Sequence, residues 1–483
     1  MSRNRADGSG ALALTVLAAL AMVVALLGGS SRPDAVQLIA LRPLAALFFI
    51  PALYLLRRET LGSAKGPVIL LALLAGWMTI QLVPLPPSVW QSLPGRSPIA
   101  EFDAVAGLDG TWRPISLVPS RGWNALASLV VPAAGLLLAA ALGATARTLL
   151  LLVVGLGVLD AALGLLQVMG AGGEKLYFYE ITNRGAAVGI FANQNHSGVF
   201  SALAMLTTVF LATDRESALT KPSHRAGLAS AFFLILLGAL IGGSRAGLLV
   251  TVLALAASGF LLWRYFSWRK GRKRGEVGQF GAMTIKPSWL LLLAFAAVAS
   301  MIAAFVMLDR WPAFETIASR GEFEDLRWEI LPTLREMISQ FWLLGTGFGS
   351  FEEVYHIFEP DRLLFPEYIN QAHNDWAQLV IEGGLPAVAI GLVALAGLAR
   401  GSIAMARDPD MPGNRSVFWL AATSIVLSAS LVDYPLRAPV FQLIVAWLAL
   451  AFCRQWAPTG FALGRPSGAT EGGKTLPSGR SSG

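Results

Sequence analysis

The feature that most constrains this chain is a series of long apolar runs. Segments such as 147–168 and 244–263 are nearly unbroken stretches of Leu, Ala, Val and Gly, close to the roughly 18–20 residues that cross a bilayer core about 30 Å thick. In hydrocarbon every backbone N–H and C=O must find its partner within the protein, so runs of this length must be helices. A membrane barrel would show short alternating strands instead. Composition agrees, with 55% hydrophobic and 14% charged residues and a mean hydropathy of +0.61, where a typical globular chain is roughly a quarter charged. The expected class is an all-α polytopic membrane protein.

Twelve spans are expected, near 11–29, 35–56, 66–85, 123–143, 147–168, 194–212, 227–242, 244–263, 288–308, 376–399, 417–432 and 438–454. Residues 11–28 are followed by no clearly placed small-residue cleavage motif, so they read as the first membrane helix. An even number of spans puts both termini on one side. With the N-terminus inside, most of the 37 Lys and Arg fall on inside segments and most acidic residues outside, as the positive-inside rule requires. The net charge of +7 therefore reports topology. The basic run from Arg264 to Arg274 sits directly beyond a span among aromatics, which suits anchoring and contact with anionic lipid; nucleic acid is not an expected partner.

The single cysteine, Cys453, excludes an intrachain disulfide and a Cys-based zinc site. Organisation follows from the loops. Residues 1–168 hold five helices with an external loop at 86–122, whose prolines and tryptophans suit an interfacial segment with a short amphipathic helix. Residues 169–454 form a membrane core with a long external loop at 309–375, and 455–483 read as a disordered tail on the inner side. Within the long loop, Leu331, Leu334, Ile338 and Phe341 recur at helical spacing, so 322–342 reads as an amphipathic helix that Pro332 would kink. The run Gly345-Thr346-Gly347-Phe348-Gly349 fits either a packing turn or a ligand loop. His356, among Tyr355, Ile357 and Phe358, reads as interfacial packing in a loop.

Three polar clusters fall at the outer ends of spans: Asn193-Gln194-Asn195-His196, Gly242-Gly243-Ser244-Arg245, and Gln371-Ala372-His373-Asn374-Asp375-Trp376. An arginine in a short turn between two spans must snorkel, meet an anion or face a wet cavity, so Arg245 is either an anion site or an interfacial anchor. Asn374 or Asp375 can cap a helix starting at Trp376. The positive end of that helix and nearby arginines favour a neutral His373, the form a general base requires, although a histidine at a cap can equally be structural.

These residues resemble the O-antigen ligase and O-antigen polymerase superfamily of bacterial envelope glycan enzymes. In the ligases an Arg is followed four residues on by Leu, as in Arg245-Ala246-Gly247-Leu248-Leu249, and a His eleven on by Gly, as from His373 to Gly384. The long loop between them carries Asp325-Leu326-Arg327-Trp328, and Phe191-Ala192-Asn193-Gln194-Asn195-His196 lies upstream. The resemblance covers about residues 185–450. It implies a membrane glycosyltransferase (GT-C-like) fold and transfer of a preassembled glycan from undecaprenyl diphosphate to a sugar hydroxyl at the periplasmic face of the bacterial inner membrane, without a metal or other cofactor. It implies His373 as the catalytic residue and Arg245 and Arg327 as diphosphate-binding residues. Arg320 is a further diphosphate candidate, and Asn193, Asn195, His196, Asn374, Asp375 and Glu382 are supporting ones.

The implied acceptor is a glycan or lipid A-core. Leu82-Val83-Pro84-Leu85-Pro86-Pro87 with Trp90, followed by Ile115-Ser116-Leu117-Val118-Pro119-Ser120, resembles exopolysaccharide polymerases more than ligases, so polymerisation is the first expectation and ligation to lipid A-core the second. The one Asp-x-Asp triplet of the chain, Asp408-Pro409-Asp410, falls between the expected spans 376–399 and 417–432, on the inner side and away from the polar clusters. From another class, a twelve-helix transporter or lipid flippase would place ionisable residues and broken helices near the bilayer midplane; Asp160 is nearly alone in such a position.

Overall fold

The computed structural model describes residues 2–170, 173–214, 222–275, 328–364, 369–407 and 413–456. The expected span at 288–308, the candidates Arg320 and Arg327, and the tail from 457 on lie outside the described residues. Among the described residues there is no strand, only an isolated bridge between Leu85 and Arg113, and the molecule is an all-α polytopic membrane protein. Ten described helices are long and apolar enough to cross a membrane. In chain order, with three helices that do not meet that test, the elements are α1 (Ser2–Leu27), α2 (Leu38–Leu55), α3 (Arg58–Ile80), α4 (Pro119–Ala141), α5 (Ala146–Val168), α6 (Gln194–Thr213), α7 (Pro222–Ile241), α8 (Arg245–Gly275), α9 (Leu331–Phe341), α10 (Phe351–Phe358), α11 (Asp375–Arg407), α12 (Asn414–Val432) and α13 (Pro439–Trp456). Of α1, only Leu12–Leu27 is apolar, shorter than the other spans.

The bundle is organised around α6, whose apolar window is 94% buried inside the protein. A helix without a polar face belongs in a core, and α6 packs against α5, α7, α8 and α12. Its threonines satisfy themselves: Thr207, Thr208 and Thr213 donate to the carbonyls of Leu203, Ala204 and Val209, four residues back. Small residues let α8 come close. A Cβ on Gly198 would stand 2.9 Å from the Gly247 Cα, so this contact depends on the pair, as small residues do between membrane helices.

Beyond the ends of these helices the two expected loops form one layer. The short amphipathic helix of the first loop is Ser97–Ala106; it buries Asp103, which takes two hydrogen bonds from Arg113, and exposes Phe102 and Val105. The Arg113 guanidinium holds the Asp103 carboxyl below its usual range. Arg96, also buried, donates from Nη2 to the carbonyls of Ile115 and Gly345, and burial pushes its guanidinium down to about 10. The chain thus stitches 86–122 to the second loop, where Leu117 N also donates to Thr346 O at 2.8 Å.

The second loop differs from expectation in three details. Pro332 stands in the first turn of α9, where a missing N–H is harmless, so it starts the helix instead of kinking it. The buried face of α9 is Thr333, Leu334, Met337 and Phe341, while Leu331 is 40% exposed. His356 lies on α10, with Nδ1 3.1 Å from Glu359 Oε2. The glycine run after α9 is a packing turn. Thr346 N and Gly347 N donate to Ile381 O and Glu382 O of α11, and a Cβ on Gly345 would fall 2.2 Å from Glu382 O.

That turn sits on a break in α11. Gly384 has φ 62° and ψ −165°, a conformation closed to residues with a Cβ, and it divides the helix into an outer piece, 375–383, and a longer piece, 385–407. The break is level with the end of α3, because Trp77 Nε1 donates to Gly383 O and Gln81 Nε2 to Glu382 O. The span expected at 376–399 lies within this helix, whose candidate crossing is Asp375–Arg407.

Asp160, the isolated acid of α5, is a staple. Its carboxylate accepts from Ile190 N at 2.9 Å and Ser197 Oγ at 2.8 Å, and Gln167 one helical face below accepts from Val188 N and Gly189 N. The segment before α6 is thereby fixed to α5. Asp160→Leu should destabilise the protein by about 1–3 kcal/mol for each donor left unsatisfied, read as a lowered thermal midpoint in detergent, whereas Asp160→Asn, which keeps an acceptor, should lose less. Equal losses in the two variants would show that the bonds contribute little.

Candidate active site

Three helix N-termini meet at one end of the bundle. At α6, Asn193 caps the helix by accepting from Asn195 N at 2.8 Å. At α8, Ser244 precedes Arg245 and accepts from Gly247 N at 2.8 Å, while its own hydroxyl hydrogen bonds to Asn195 Oδ1 at 2.7 Å. Arg245 is thus placed beside the start of α6, which the close packing at Gly198 and Gly247 also enforces. At α11, Asn374 provides the cap, accepting from Ala377 N at 3.0 Å. Each N-terminus carries the positive end of a dipole, which favours an anion at this place.

His373, just before α11, has φ 48°, the one non-glycine residue with positive φ among the described residues. A side chain in this region costs on the order of 1–3 kcal/mol and persists only where the surroundings impose it. Gln378 imposes it here: its Oε1 accepts from Ala372 N at 3.0 Å and its Nε2 donates to Gln371 Oε1 and Glu382 Oε1. The turn is wound back on the first turn of its own helix, and the imidazole remains partly exposed, at 27%.

The element that joins these pieces is the end of α12. Asp433, without exposed surface, places Oδ1 3.8 Å from His196 Nε2 and 4.0 Å from His373 Nδ1. Tyr434 presents its ring to both imidazoles, edge-on, at centroid distances of 5.3 Å and 4.9 Å. Three residues on, Arg437 donates to Glu382 Oε2 at 3.0 Å and lies 3.7 Å from Asp375 Oδ1, while Asp375 Oδ2 accepts from Ser430 Oγ. Glu382 further accepts from Phe351 N. Asp375 and Glu382 are therefore clamped by Arg437 and tie α11 to α12 and to the outer layer.

Of the residues selected from sequence, His373, His196, Asn193, Asn195, Arg245, Asn374, Asp375 and Glu382 belong to this one end of the bundle, and Arg320 and Arg327 lie outside the described residues. Sequence reading missed Asp433, Tyr434 and Arg437. Their signal was available: an acid, an aromatic and a Pro end an apolar run at Val432-Asp433-Tyr434-Pro435, but this looked like an ordinary span boundary. The expectation for His373 also counted only positive influences, a dipole and arginines; the structure adds a carboxylate on the Nδ1 side. Among the described residues no group of three or more His, Cys, Asp or Glu is arranged to hold a metal ion.

Replacing Asp433 by Asn should keep the turn and remove the charge shared by the two histidines. Transfer activity should fall on the order of tenfold or more with the thermal midpoint little changed; unaltered turnover would make Asp433 a purely structural residue.

The stretch from 230 to 392, which includes Arg245, His373 and Gly384, matches the family model described as O-Antigen ligase. No curated protein matches the chain. The two motifs that carry the sequence resemblance are the start of α8 and the turn-to-break segment of α11, both inside the matched region. The chain is a multi-pass membrane protein whose residues 230–392 match the O-Antigen ligase family model, which supports a place in the O-antigen ligase and polymerase superfamily.

Proposed function

We propose that this protein transfers a preassembled glycan from undecaprenyl diphosphate to a sugar hydroxyl, at the periplasmic face of the bacterial inner membrane, with both termini cytoplasmic. The observation that carries the reading is the position of Asp433 between His196 and His373 where three helix N-termini meet. Glycan transfer of the O-antigen ligase and polymerase type is the activity of the matched family. Chain building, as in a polysaccharide polymerase, is the preferred form because of the proline-rich segment 82–87 with Trp90 and its resemblance to exopolysaccharide polymerases.

The chemistry follows from the charges. His373 Nδ1 faces Asp433, which favours the tautomer with its proton on Nδ1 and leaves Nε2 as the base. His373 Nε2 takes the acceptor hydroxyl proton as that oxygen bonds to the anomeric carbon. The bond from that carbon to the phosphate oxygen breaks on the opposite side, so configuration inverts, and the lipid diphosphate leaves with the electron pair. Arg245 at the start of α8, with Arg327 and Arg320 from the long loop, stabilises the growing negative charge through forked hydrogen bonds. Arginines and dipoles thus take the part that a divalent ion plays in many soluble glycosyltransferases. Tyr434 confines both imidazoles.

His373→Ala should abolish transfer while leaving binding of the lipid-linked donor intact. A variant that keeps near-normal turnover removes the base assignment and leaves His196, or attack without a protein base, to be tested. Arg245→Lys should disable the protein although it stays inserted, because the ammonium keeps the charge and loses the planar fork.

Activity in detergent should also survive EDTA; loss that magnesium restores would require carboxylates in place of the arginines. The glycan phenotype of a deletion separates the two forms of the reaction. Single repeat units on lipid identify a polymerase, and long unattached chains on undecaprenyl diphosphate identify a ligase acting on lipid A-core.

A further inference from the structure

Beside the histidine cluster a cleft of about 110 Å³ opens between the chain after α1, the starts of α2, α4 and α13, the turn before α10 and the outer piece of α11. On the measure by which one water needs roughly 10–15 Å³, it has room for a sugar ring. Its wall is rich in amides: Asn124, Asn370, Gln371, Gln378 and Gln442. Side chains that both donate and accept suit a ligand covered with hydroxyls. The cleft is also next to the chemistry. Gln371 is two residues from His373, which limits their Cα separation to about 7 Å, and Arg437 is three residues from Tyr434, whose ring meets the His373 imidazole.

Charge defines the ligand further. Four arginines line this cleft. Arg32 pairs with Asp34, Arg121 with Glu353 and Glu352, and Arg437 with Glu382, so the two carboxylates of the wall, Glu352 and Glu382, already face guanidinium groups. Arg42 differs. Its Nη2 donates to the Asn124 carbonyl at 3.2 Å, its Nε has no hydrogen-bond partner, and no carboxylate among the described residues pairs with it. A charge held one turn inside the apolar helix α2 without a counter-ion is unfavourable, and an anionic group in the cleft would offset it.

We propose that this cleft is the sugar subsite adjoining His373 and that it selects a glycan residue bearing a carboxylate, with Arg42 as the specificity-determining contact. The proposal rests on the glycan-transfer reading and names the chemical class of sugar that the site accepts. Asn370 and Gln442, the latter with a buried Oε1 that has no hydrogen-bond partner, hold ring hydroxyls, and the Arg42 fork takes the carboxylate in a bidentate pair. A neutral ring of the same size would fill the space and leave the guanidinium unmatched.

The test uses the full chain in phosphatidylcholine nanodiscs, with no donor present, and two probes of equal length: cellobiouronic acid, which ends in glucuronate, and neutral cellobiose. Saturation-transfer NMR and competition titration should show the uronate binding about tenfold more tightly or better, with the preference falling as NaCl is raised. Arg42→Gln should erase the preference while cellobiose binding persists, and Arg42→Lys should retain part of it. A wild-type protein that prefers the uronate but transfers no glycan would count against the transfer mechanism and not against the cleft. Equal affinity for the two sugars, or no binding of either, overturns the proposal, as does an Arg42→Gln variant with the preference intact. Should Arg42→Gln fail to fold, the wild-type preference, its salt dependence and Arg42→Lys still decide. Loss of the preference in phosphatidylglycerol discs would assign Arg42 to a lipid headgroup instead.

Discussion

A carboxylate with no exposed surface at the end of an apolar helix is costly unless positive groups surround it, and Asp433 is such a group. Much of the loop-bearing end of this bundle can be understood as its compensation. Two imidazoles face Asp433, helix N-termini begin around it, and its own backbone N–H closes the last turn of α12. The elements that supply these partners come from widely separated parts of the chain. The central helix α6 brings His196, glycine contact brings α8 beside it, and the wound-back turn before α11 brings His373. The same carboxylate therefore faces two imidazoles that come from distant parts of the chain.

The fold was largely legible because the hydrocarbon leaves so few choices. Runs such as 147–168 had to be helices, and the span expected there coincides with Ala146–Val168. The alternating helical face of 331–341 was likewise visible, although its register was not, since Thr333 and Met337 replace Leu331 and Ile338 on the most buried side. Boundaries failed where tertiary contact decides them. Gly383-Gly384 followed by Pro386 does signal a weak point in the helix, but the sequence does not say that the break will receive the turn at Leu343-Leu344-Gly345 pressed against it.

The candidate site was legible in its motifs and not in its connections. Asn193, His196, Arg245 and His373 stand out as polar residues at span ends, and they do converge. Asp433 and Arg437 escaped because single charges beside a span are common and their partners lie about 60 and 55 residues away or more in sequence. Asp160 was legible only as an isolated acid, too solitary to argue for transport. That it holds the backbone of the segment preceding α6 was invisible without knowing that this segment folds back onto α5.

The break at Gly384 has a mechanical consequence. The piece carrying the His373 turn, 375–383, is fastened to the outer layer through Glu382, Phe351 and Arg437, while 385–407 faces lipid over much of its length. Membranes differ in thickness, and spanning helices answer by tilting. At the break the first residue of the long piece, Leu385, donates its N–H to Leu343 O at 3.1 Å, so the layer above also holds the long piece at its upper end, and the level of the His373 turn is set by that layer before it is set by the bilayer.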